Sequence, residues 1–107
     1  MNDHSRVRVS VVIPARDAEA MIGRTVAAVR AQELDDDFEV VVVDDGSSDA
    51  TARVARDAGA RVVSNATPLG PADARNAGVA ATTAPLIAFT DADCVPAAGW
   101  LRSGRHG

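Results

Sequence analysis

Two aspartates separated by one residue, Asp91 and Asp93, follow directly on the apolar run 86–90. A buried strand that ends in two carboxylates is a common way to hold a divalent cation, because carboxylate oxygens are ligands that Mg²⁺ and Mn²⁺ prefer. A site with few protein ligands also leaves coordination positions open for the phosphate oxygens of a substrate. The same pattern fits a simpler role, in which one of the two aspartates caps a short helix that begins near Pro96.

A second acidic pair, Asp44 and Asp45, follows another apolar run at 38–43. The next residues are rich in glycine, serine and aspartate, which are typical of turns and helix caps. We therefore interpret Asp45 and Asp49 as turn and cap residues rather than as ligands.

Composition excludes several classes of function. The chain has 107 residues, which suits a single domain, and its eleven basic residues are all arginine. The absence of lysine excludes a P-loop lysine and a Schiff-base mechanism. The net charge of −4 and the three aromatic residues argue against a nucleic-acid partner. Cys94 is the single cysteine, so no internal disulfide can form.

Neither a signal peptide nor a membrane segment is expected. Residues 1–8 are mostly polar and lack an apolar core, and the longest apolar runs are too short to cross a bilayer. We expect a cytoplasmic protein, either free or peripheral to the membrane. It should be one domain over 1–107, with a core at 8–101 and loose tails at 1–6 and 102–107.

Hydrophobic patterning predicts an alternation of strands and helices. The predicted strands are residues 7–13 (ended by Pro14), 38–43, 60–64 and 83–90. The predicted helices are residues 18–32 (capped by Asp17), about 50–58, 71–81 and a short one after Pro96.

This order indicates an α/β fold with an open, mostly parallel sheet and helices on both faces. In such sheets the ligand lies beyond the carboxyl ends of the strands, where the strand order reverses. If the first three strands run outward and the fourth pairs on the other side of the first, the reversal lies between strands one and four. Asp44, Asp91 and Asp93 then converge on one edge, and their mutual repulsion favours a bound cation there.

Three other kinds of site that occur in α/β folds match this sequence less well. Residues 14–20 contain no glycine, so the dinucleotide fingerprint is absent, and phosphoacceptor receiver domains require a lysine. A phosphatase of the haloacid dehalogenase type would use Asp91 as nucleophile and Asp93 as acid/base. It also needs a basic residue and further carboxylates downstream, and the sequence after Asp93 has no Asp, Glu or Lys.

Four segments, in order, resemble the successive sequence blocks of family 2 glycosyltransferases. They are 9–14 (VSVVIP), 42–49 (VVDDGSSD), 70–78 (GPADARNAG) and 89–93 (FTDAD). The resemblance covers about residues 8–101. It implies the GT-A fold, a hexosyltransferase type of activity, and an N-terminal half that binds a nucleotide-diphospho-sugar of the UDP, GDP or dTDP type.

The resemblance also implies roles for individual residues. Pro14 and Ala15 would line the nucleotide pocket, and Asp44 would accept a hydrogen bond from the base. Arg75 would contact the base or the diphosphate, and Asp91 would lie near the ribose.

Asp93 would bind the Mg²⁺ or Mn²⁺ ion that bridges the diphosphate in that family. Such an ion can stabilise the charge that develops on a nucleoside diphosphate leaving group.

In that family the acceptor site and the general base lie in the half that follows the metal motif, whereas the match here ends near residue 101. We therefore expect a truncated or frame-shifted enzyme, or a fragment, whose inverting sugar transfer is slow or absent and whose base is unknown. The missing strands would leave an exposed sheet edge, which favours self-association. The alternatives are a vestigial, non-catalytic nucleotide-binding domain and, as a lesser one, a phosphatase-like enzyme using Asp91.

Overall fold

The structure is a computed structural model that describes residues 7–32 and 37–92. Its strands are β1 (Val7–Ala15), β2 (Asp37–Asp45), β3 (Arg61–Asn65) and β4 (Leu86–Phe89). Its helices are α1 (Ile22–Arg30), α2 (Thr51–Asp57) and α3 (Pro71–Ala80). The predicted tails at 1–6 and 102–107, the predicted helix after Pro96 and the predicted metal ligand Asp93 lie outside the described residues.

The four strands form one parallel sheet in the order β3-β2-β1-β4. On one side β1 pairs with β2, and on the other it pairs with β4 from Val9 opposite Leu86 to Val12 opposite Phe89. The predicted fold class is therefore confirmed, and the strand order is the one that had been assumed in locating the reversal. The strand order reverses between β1 and β4, where an open α/β sheet binds its ligand.

Helices cover both faces of the sheet. Along β1, alternate residues Val9, Val11 and Ile13 pack with the buried side chains of α1 and α2. On the opposite face, Val12 and Val43 pack against α3. The helices of the described ranges are all too short or too polar to cross a membrane.

α3 lies unusually close to the sheet because a glycine faces it. A Cβ atom added to Gly78 would meet Val12 Cγ1 at 2.3 Å and Val43 Cγ2 at 3.0 Å. Real Cβ atoms do not approach other atoms so closely, since interiors are already close-packed. Gly78 therefore sets the distance between α3 and the sheet.

Two strands extend further than predicted. β1 continues through Pro14, which pairs with Val43 of β2, instead of ending at residue 13. Proline is tolerated there because the pairing of β1 with β4 has already ended at Val12, so one side of the strand needs no further backbone donor. β2 likewise continues through Asp44 and Asp45, which the sequence had placed in the following turn.

The first helix begins later than predicted. α1 starts at Ile22 rather than at residue 18, and Asp17 does not cap it. Asp17 instead adopts a left-handed conformation with φ of 50°, and its carboxylate bonds to another loop. β4 is shorter than predicted and covers Leu86–Phe89; before it, Thr82 Oγ1 accepts the Ala84 backbone N–H at 3.1 Å in a local turn.

Candidate functional site

A cleft of about 660 Å³ opens at the carboxyl ends of the strands, at the point where the strand order reverses. Its lining comes from residues 14–18 at the end of β1 and just beyond it, from Asp45 at the end of β2, from the first turns of α3, and from residues 91–92 after β4. Elements that are far apart in the sequence thus contribute to one cavity, because parallel strands bring their carboxyl ends to the same edge of the sheet.

Most of the predicted site residues lie together in this cleft. Pro14, Ala15, Arg75 and Asp91 all line it. Arg75 is exposed on the second turn of α3, and Asp91 is exposed just beyond β4. Arg16, which had no predicted role, lines the cleft as well.

Of the acidic pair that ends β2, it is Asp45 rather than Asp44 that lines the cleft. Side chains alternate between the two faces of a strand, so Asp44 shares the face of Val42 and Asp45 shares the face of Val43. Asp44 accepts the Ser47 backbone N–H at 3.1 Å and closes the turn after β2. The sequence placed Asp45 in a turn and did not identify it as a cleft residue, because the packing of α3 on the Val43 face decides which aspartate faces the cleft.

Asp45 joins β2 to the loop that precedes α3. Its Oδ1 accepts the Asn65 side-chain N–H and the Leu69 backbone N–H, each at 2.9 Å, and its Oδ2 accepts the Gly70 backbone N–H at 2.9 Å. The Asn65 amide, followed by the Leu69 backbone N–H, holds the pKa of the Asp45 carboxyl below its usual value of 3.8, and the positive charge of Arg16 contributes to the same effect. Asp45 is therefore an ionised group in the wall of the cleft.

The same loop passes directly over Gly46. A Cβ atom at this position would lie 2.6 Å from the Pro68 backbone nitrogen, and the φ of Gly46 is 74°. Both the space and the backbone conformation require glycine here. The glycine of the sequence block at 42–49 thus allows the loop to reach Asp45.

The loop after β1 is bound to the loop after β2. The Asp17 backbone N–H donates to Ser47 Oγ at 2.8 Å, and Asp17 Oδ1 accepts the Ser48 backbone N–H at 2.7 Å. A left-handed conformation is uncommon for a residue other than glycine, although aspartate tolerates it better than most. These contacts fix the course of the chain along one wall of the cleft.

A second set of bonds joins the same two loops through Asp49. Asp49 Oδ1 accepts both the backbone N–H and the hydroxyl of Thr51, and its Oδ2 accepts the Glu19 backbone N–H at 3.2 Å. Thr51 Oγ1 in turn accepts the Ala18 backbone N–H at 2.8 Å. The hydrogen bond from the Thr51 side chain is the largest cause that lowers the pKa of Asp49. Asp49 thus lies in the turn before α2, one residue ahead of the N-cap Ala50.

The charges in the cleft suit an anionic ligand that carries a cation. Arg16 and Arg75 supply positive charge. Of the three carboxylates in the lining, Asp17 and Asp45 are hydrogen-bonded to neighbouring loops, whereas no described residue bonds to Asp91. Within residues 7–32 and 37–92, no three His, Cys, Asp or Glu side chains cluster as a metal site would require.

Comparison with known proteins gives consistent matches. The family model described as "Glycosyl transferase family 2" matches residues 10–104. The pre-mycofactocin glycosyltransferase of Mycobacterium tuberculosis is 38% identical over 98 residues, which cover 89% of this chain and 20% of that protein. The crystal structure of Staphylococcus aureus TarS 1–349 in complex with UDP-GlcNAc superposes with a TM-score of 0.83 at 25% identity, covering 94% of this chain and 30% of that one.

A third match is the mannosyltransferase PcManGT from Pyrobaculum calidifontis, solved in complex with GDP-Man and Mn²⁺. It superposes with a TM-score of 0.79 at 28% identity and covers 90% of this chain and 32% of that one. The chain therefore spans about a fifth to a third of the length of these three relatives. With the GT-A fold of its structural neighbours and a family model that matches nearly its whole length, the chain belongs to glycosyl transferase family 2.

Proposed function

We propose that this chain binds the nucleotide-diphospho-sugar donor of a glycosyltransferase in the cleft at the carboxyl ends of β1 and β4. The observation that carries the proposal is the joint presence of Pro14, Ala15, Arg75 and Asp91 in one cleft at the strand reversal. The proposal is further supported by the nucleotide-sugars named for two structural neighbours, UDP-GlcNAc for TarS and GDP-Man for PcManGT.

The diphosphate is proposed to lie between the start of α3 and the tip of β1. Arg75 and Arg16 carry the positive charge of the lining, and a guanidinium can donate two parallel hydrogen bonds to a phosphate. The amino end of α3, where Gly70 and Pro71 line the cleft, adds the favourable end of the helix dipole. Both effects favour an anion on this side of the cleft.

The nucleoside is proposed to lie on Pro14 and Ala15, with an acidic side chain accepting an N–H of the base. The sequence assigned this acceptor to Asp44. We propose Asp45 instead, because Asp45 lines the cleft and Asp44 does not. The Asp45 carboxylate accepts three hydrogen bonds, so one of its roughly four lone-pair sites stays available for the base.

The cation is proposed to be Mg²⁺ or Mn²⁺. Asp93 is proposed to bind it, and Asp91 is proposed to lie next to both the cation and the ribose. When bound, such an ion offsets the negative charge that develops on the departing diphosphate. The exposed carboxylate of Asp91 and the lack of a larger carboxylate cluster in the described residues fit an ion that shares its coordination with the donor. The Mn²⁺ named in the PcManGT complex supports the same choice.

Inverting transfer of the sugar is proposed for the complete enzymes of this type. It needs a general base that deprotonates the acceptor hydroxyl. We propose that this base belongs to the part of the relatives that lies beyond the region matched by this chain. Donor binding can therefore be measured without sugar transfer.

Calorimetric titration of the 107-residue protein with UDP, GDP and dTDP, with and without Mn²⁺, tests donor binding. We expect one of these nucleotides to bind more tightly when Mn²⁺ is present. Asp91→Ala and Asp93→Ala should each remove most of the metal-dependent gain. Asp57→Ala, which removes an exposed carboxylate of α2 outside the cleft, should not. If none of the three nucleotides binds even with Mn²⁺, the proposed function is wrong.

We further propose self-association of this chain through β4. Among the described strands β4 pairs only with β1, and its Leu86 and Phe89 side chains are 43% and 42% exposed. An apolar edge strand offers unpaired backbone groups to a second strand. Sedimentation velocity should show a concentration-dependent dimer that Leu86→Lys weakens, and a monomer at all concentrations would contradict the proposal.

A further inference from the structure

A buried threonine interrupts the apolar face of α1. Ile22, Val26 and Val29 form that face and are fully buried, and Thr25 lies among them, also fully buried. Burial of a hydroxyl is unfavourable unless the group is hydrogen-bonded. A polar side chain in this position therefore needs a partner.

The partner lies in the segment that follows β4. Thr25 Oγ1 donates to the Ala92 carbonyl oxygen at 2.7 Å. Threonine in a helix commonly bonds to a carbonyl of its own preceding turn, whereas this hydroxyl reaches a residue that is 67 positions away. The Ala92 side chain also packs against the core cluster that contains the buried residues of α1.

We propose that Thr25 is a positioning residue for Asp91, the carboxylate of the acidic motif at 91–93 that the structure describes. The inference rests on the proposed function of that motif. The carbonyl that Thr25 holds belongs to the peptide unit joining Ala92 to Asp93, so the bond acts on the backbone between the two carboxylates.

The segment has few other anchors among the described residues. β4 is four residues long and lies at the edge of the sheet. After it, the Thr90 backbone N–H donates to the Val12 carbonyl at a longer distance of 3.3 Å. The shorter bond from Thr25, together with the packing of Ala92, therefore restricts the backbone next to Asp91. The exposed Asp91 side chain itself receives no hydrogen bond from the described residues.

Groups that orient a metal ligand without touching the metal commonly change metal affinity about 10- to 100-fold when they are removed. Thr25→Val keeps the shape of the side chain and removes the hydroxyl. We expect the Mn²⁺-dependent part of nucleotide affinity to fall about tenfold in this variant. Thr25→Ser keeps the hydroxyl and should stay within about twofold of the wild type.

The experiment is a calorimetric titration of wild type, Thr25→Val and Thr25→Ser with the nucleotide that binds best, in Mn²⁺ and in EDTA. Affinity in EDTA reports on the rest of the cleft and should be equal in the three proteins. Val29→Ala is the control for stability, because Val29 is buried on the same helix face and is not the partner of Ala92. It should lower the unfolding midpoint while leaving the Mn²⁺ effect intact.

Each outcome has a distinct meaning. A selective loss of the Mn²⁺ effect in Thr25→Val, restored in Thr25→Ser, supports the positioning role. An unchanged Mn²⁺ effect in a folded Thr25→Val overturns that role and leaves the proposed function standing. Failure of the wild type to bind any nucleotide overturns both. If Thr25→Val does not fold, Thr25→Ala is compared with Thr25→Ser in the same titrations, and equal Mn²⁺ effects overturn the positioning role.

Discussion

The carboxylate of Asp17 accepts both the backbone N–H and the hydroxyl of Ser48, at 2.7 Å and 3.1 Å. These two residues belong to loops that leave neighbouring strands, β1 and β2, at the edge where the cleft opens. Asp17 also lines the cleft. The bond therefore holds one wall of the cleft in place through a residue whose own backbone has the less common left-handed conformation.

Removal of the Asp17 carboxylate should loosen this connection. We expect Asp17→Ala to lower the free energy of unfolding by about 1 kcal/mol, because it removes exposed hydrogen bonds to Ser48 and places alanine at a positive φ. Asp17→Asn keeps an acceptor oxygen and tolerates the conformation, so it should stay close to the wild type. Urea unfolding measures the free energy of unfolding of both variants.

Asp17→Gly separates the two causes of that loss. Glycine adopts the positive φ without strain but has no acceptor, so a loss similar to that of Asp17→Ala assigns the effect to the hydrogen bonds. Equal stability of Asp17→Ala and the wild type would contradict the role of this connection.

Ionised Asp45 should make stability depend on pH in the acid range. Its pKa is lowered in the folded protein, chiefly by Asn65, so its contribution is present above the usual value of 3.8 and is lost as the pH falls through the folded value. Asp45→Asn should be less stable than the wild type near neutrality, because an amide cannot accept from both Leu69 and Gly70 with its two ends.

The difference in the free energy of unfolding between the wild type and Asp45→Asn should shrink as the pH is lowered below about 4. Protonation of Asp45 then weakens the wild type in the same way as the substitution does. Urea unfolding at a series of pH values measures the difference directly. A difference that stays constant down to about pH 2 would show that the Asp45 charge does not stabilise the fold.

Arg75 should contribute to donor binding through its charge. We expect Arg75→Ala to weaken nucleoside diphosphate binding about tenfold, which corresponds to about 1.4 kcal/mol, with Arg75→Lys in between because lysine lacks the bidentate geometry. Arg53→Ala removes an equally exposed arginine of α2 that does not line the cleft and serves as the matched control. Titration at low and high salt should show that the loss of affinity in Arg75→Ala becomes smaller as the salt concentration rises.

Equal losses in the Arg75→Ala and Arg53→Ala variants would indicate a general effect of net charge. They would contradict a contact between Arg75 and the diphosphate.

Gly78 should not tolerate even one added methyl group. Alanine favours a helix over glycine by about 1 kcal/mol, but its Cβ would overlap Val12 and Val43. Since overpacking of this kind costs about 1–3 kcal/mol and the contact is severe, we expect a net loss of about 1–2 kcal/mol for Gly78→Ala. Asn76→Ala changes an exposed position on the same helix and should raise stability by a few tenths of a kcal/mol at most, which thermal unfolding can check.

The sequence by itself determined the fold class, the family and most of the cleft. Runs such as 38–43 are almost continuously apolar, and helical segments separate them, so a parallel sheet covered on both faces follows from local pattern alone. Residues that follow the strands must meet at one edge of such a sheet. Pro14 and Asp91 could therefore be placed at one edge before their contacts were known, whereas Arg75, which lies on α3, was assigned to the site only through the resemblance to family 2 glycosyltransferases.

Only the tertiary structure decided which face each side chain takes and which distant group it bonds to. The choice between Asp44 and Asp45 depends on how far β2 extends, and pairing with its neighbours sets that length. The bonds of Asp17 to Ser48 and of Thr25 to Ala92 join residues 31 and 67 positions apart. Local propensity favoured Asp17 as a helix cap, but a partner brought near by the packed sheet formed the stronger contact, and no local pattern encodes such a partner.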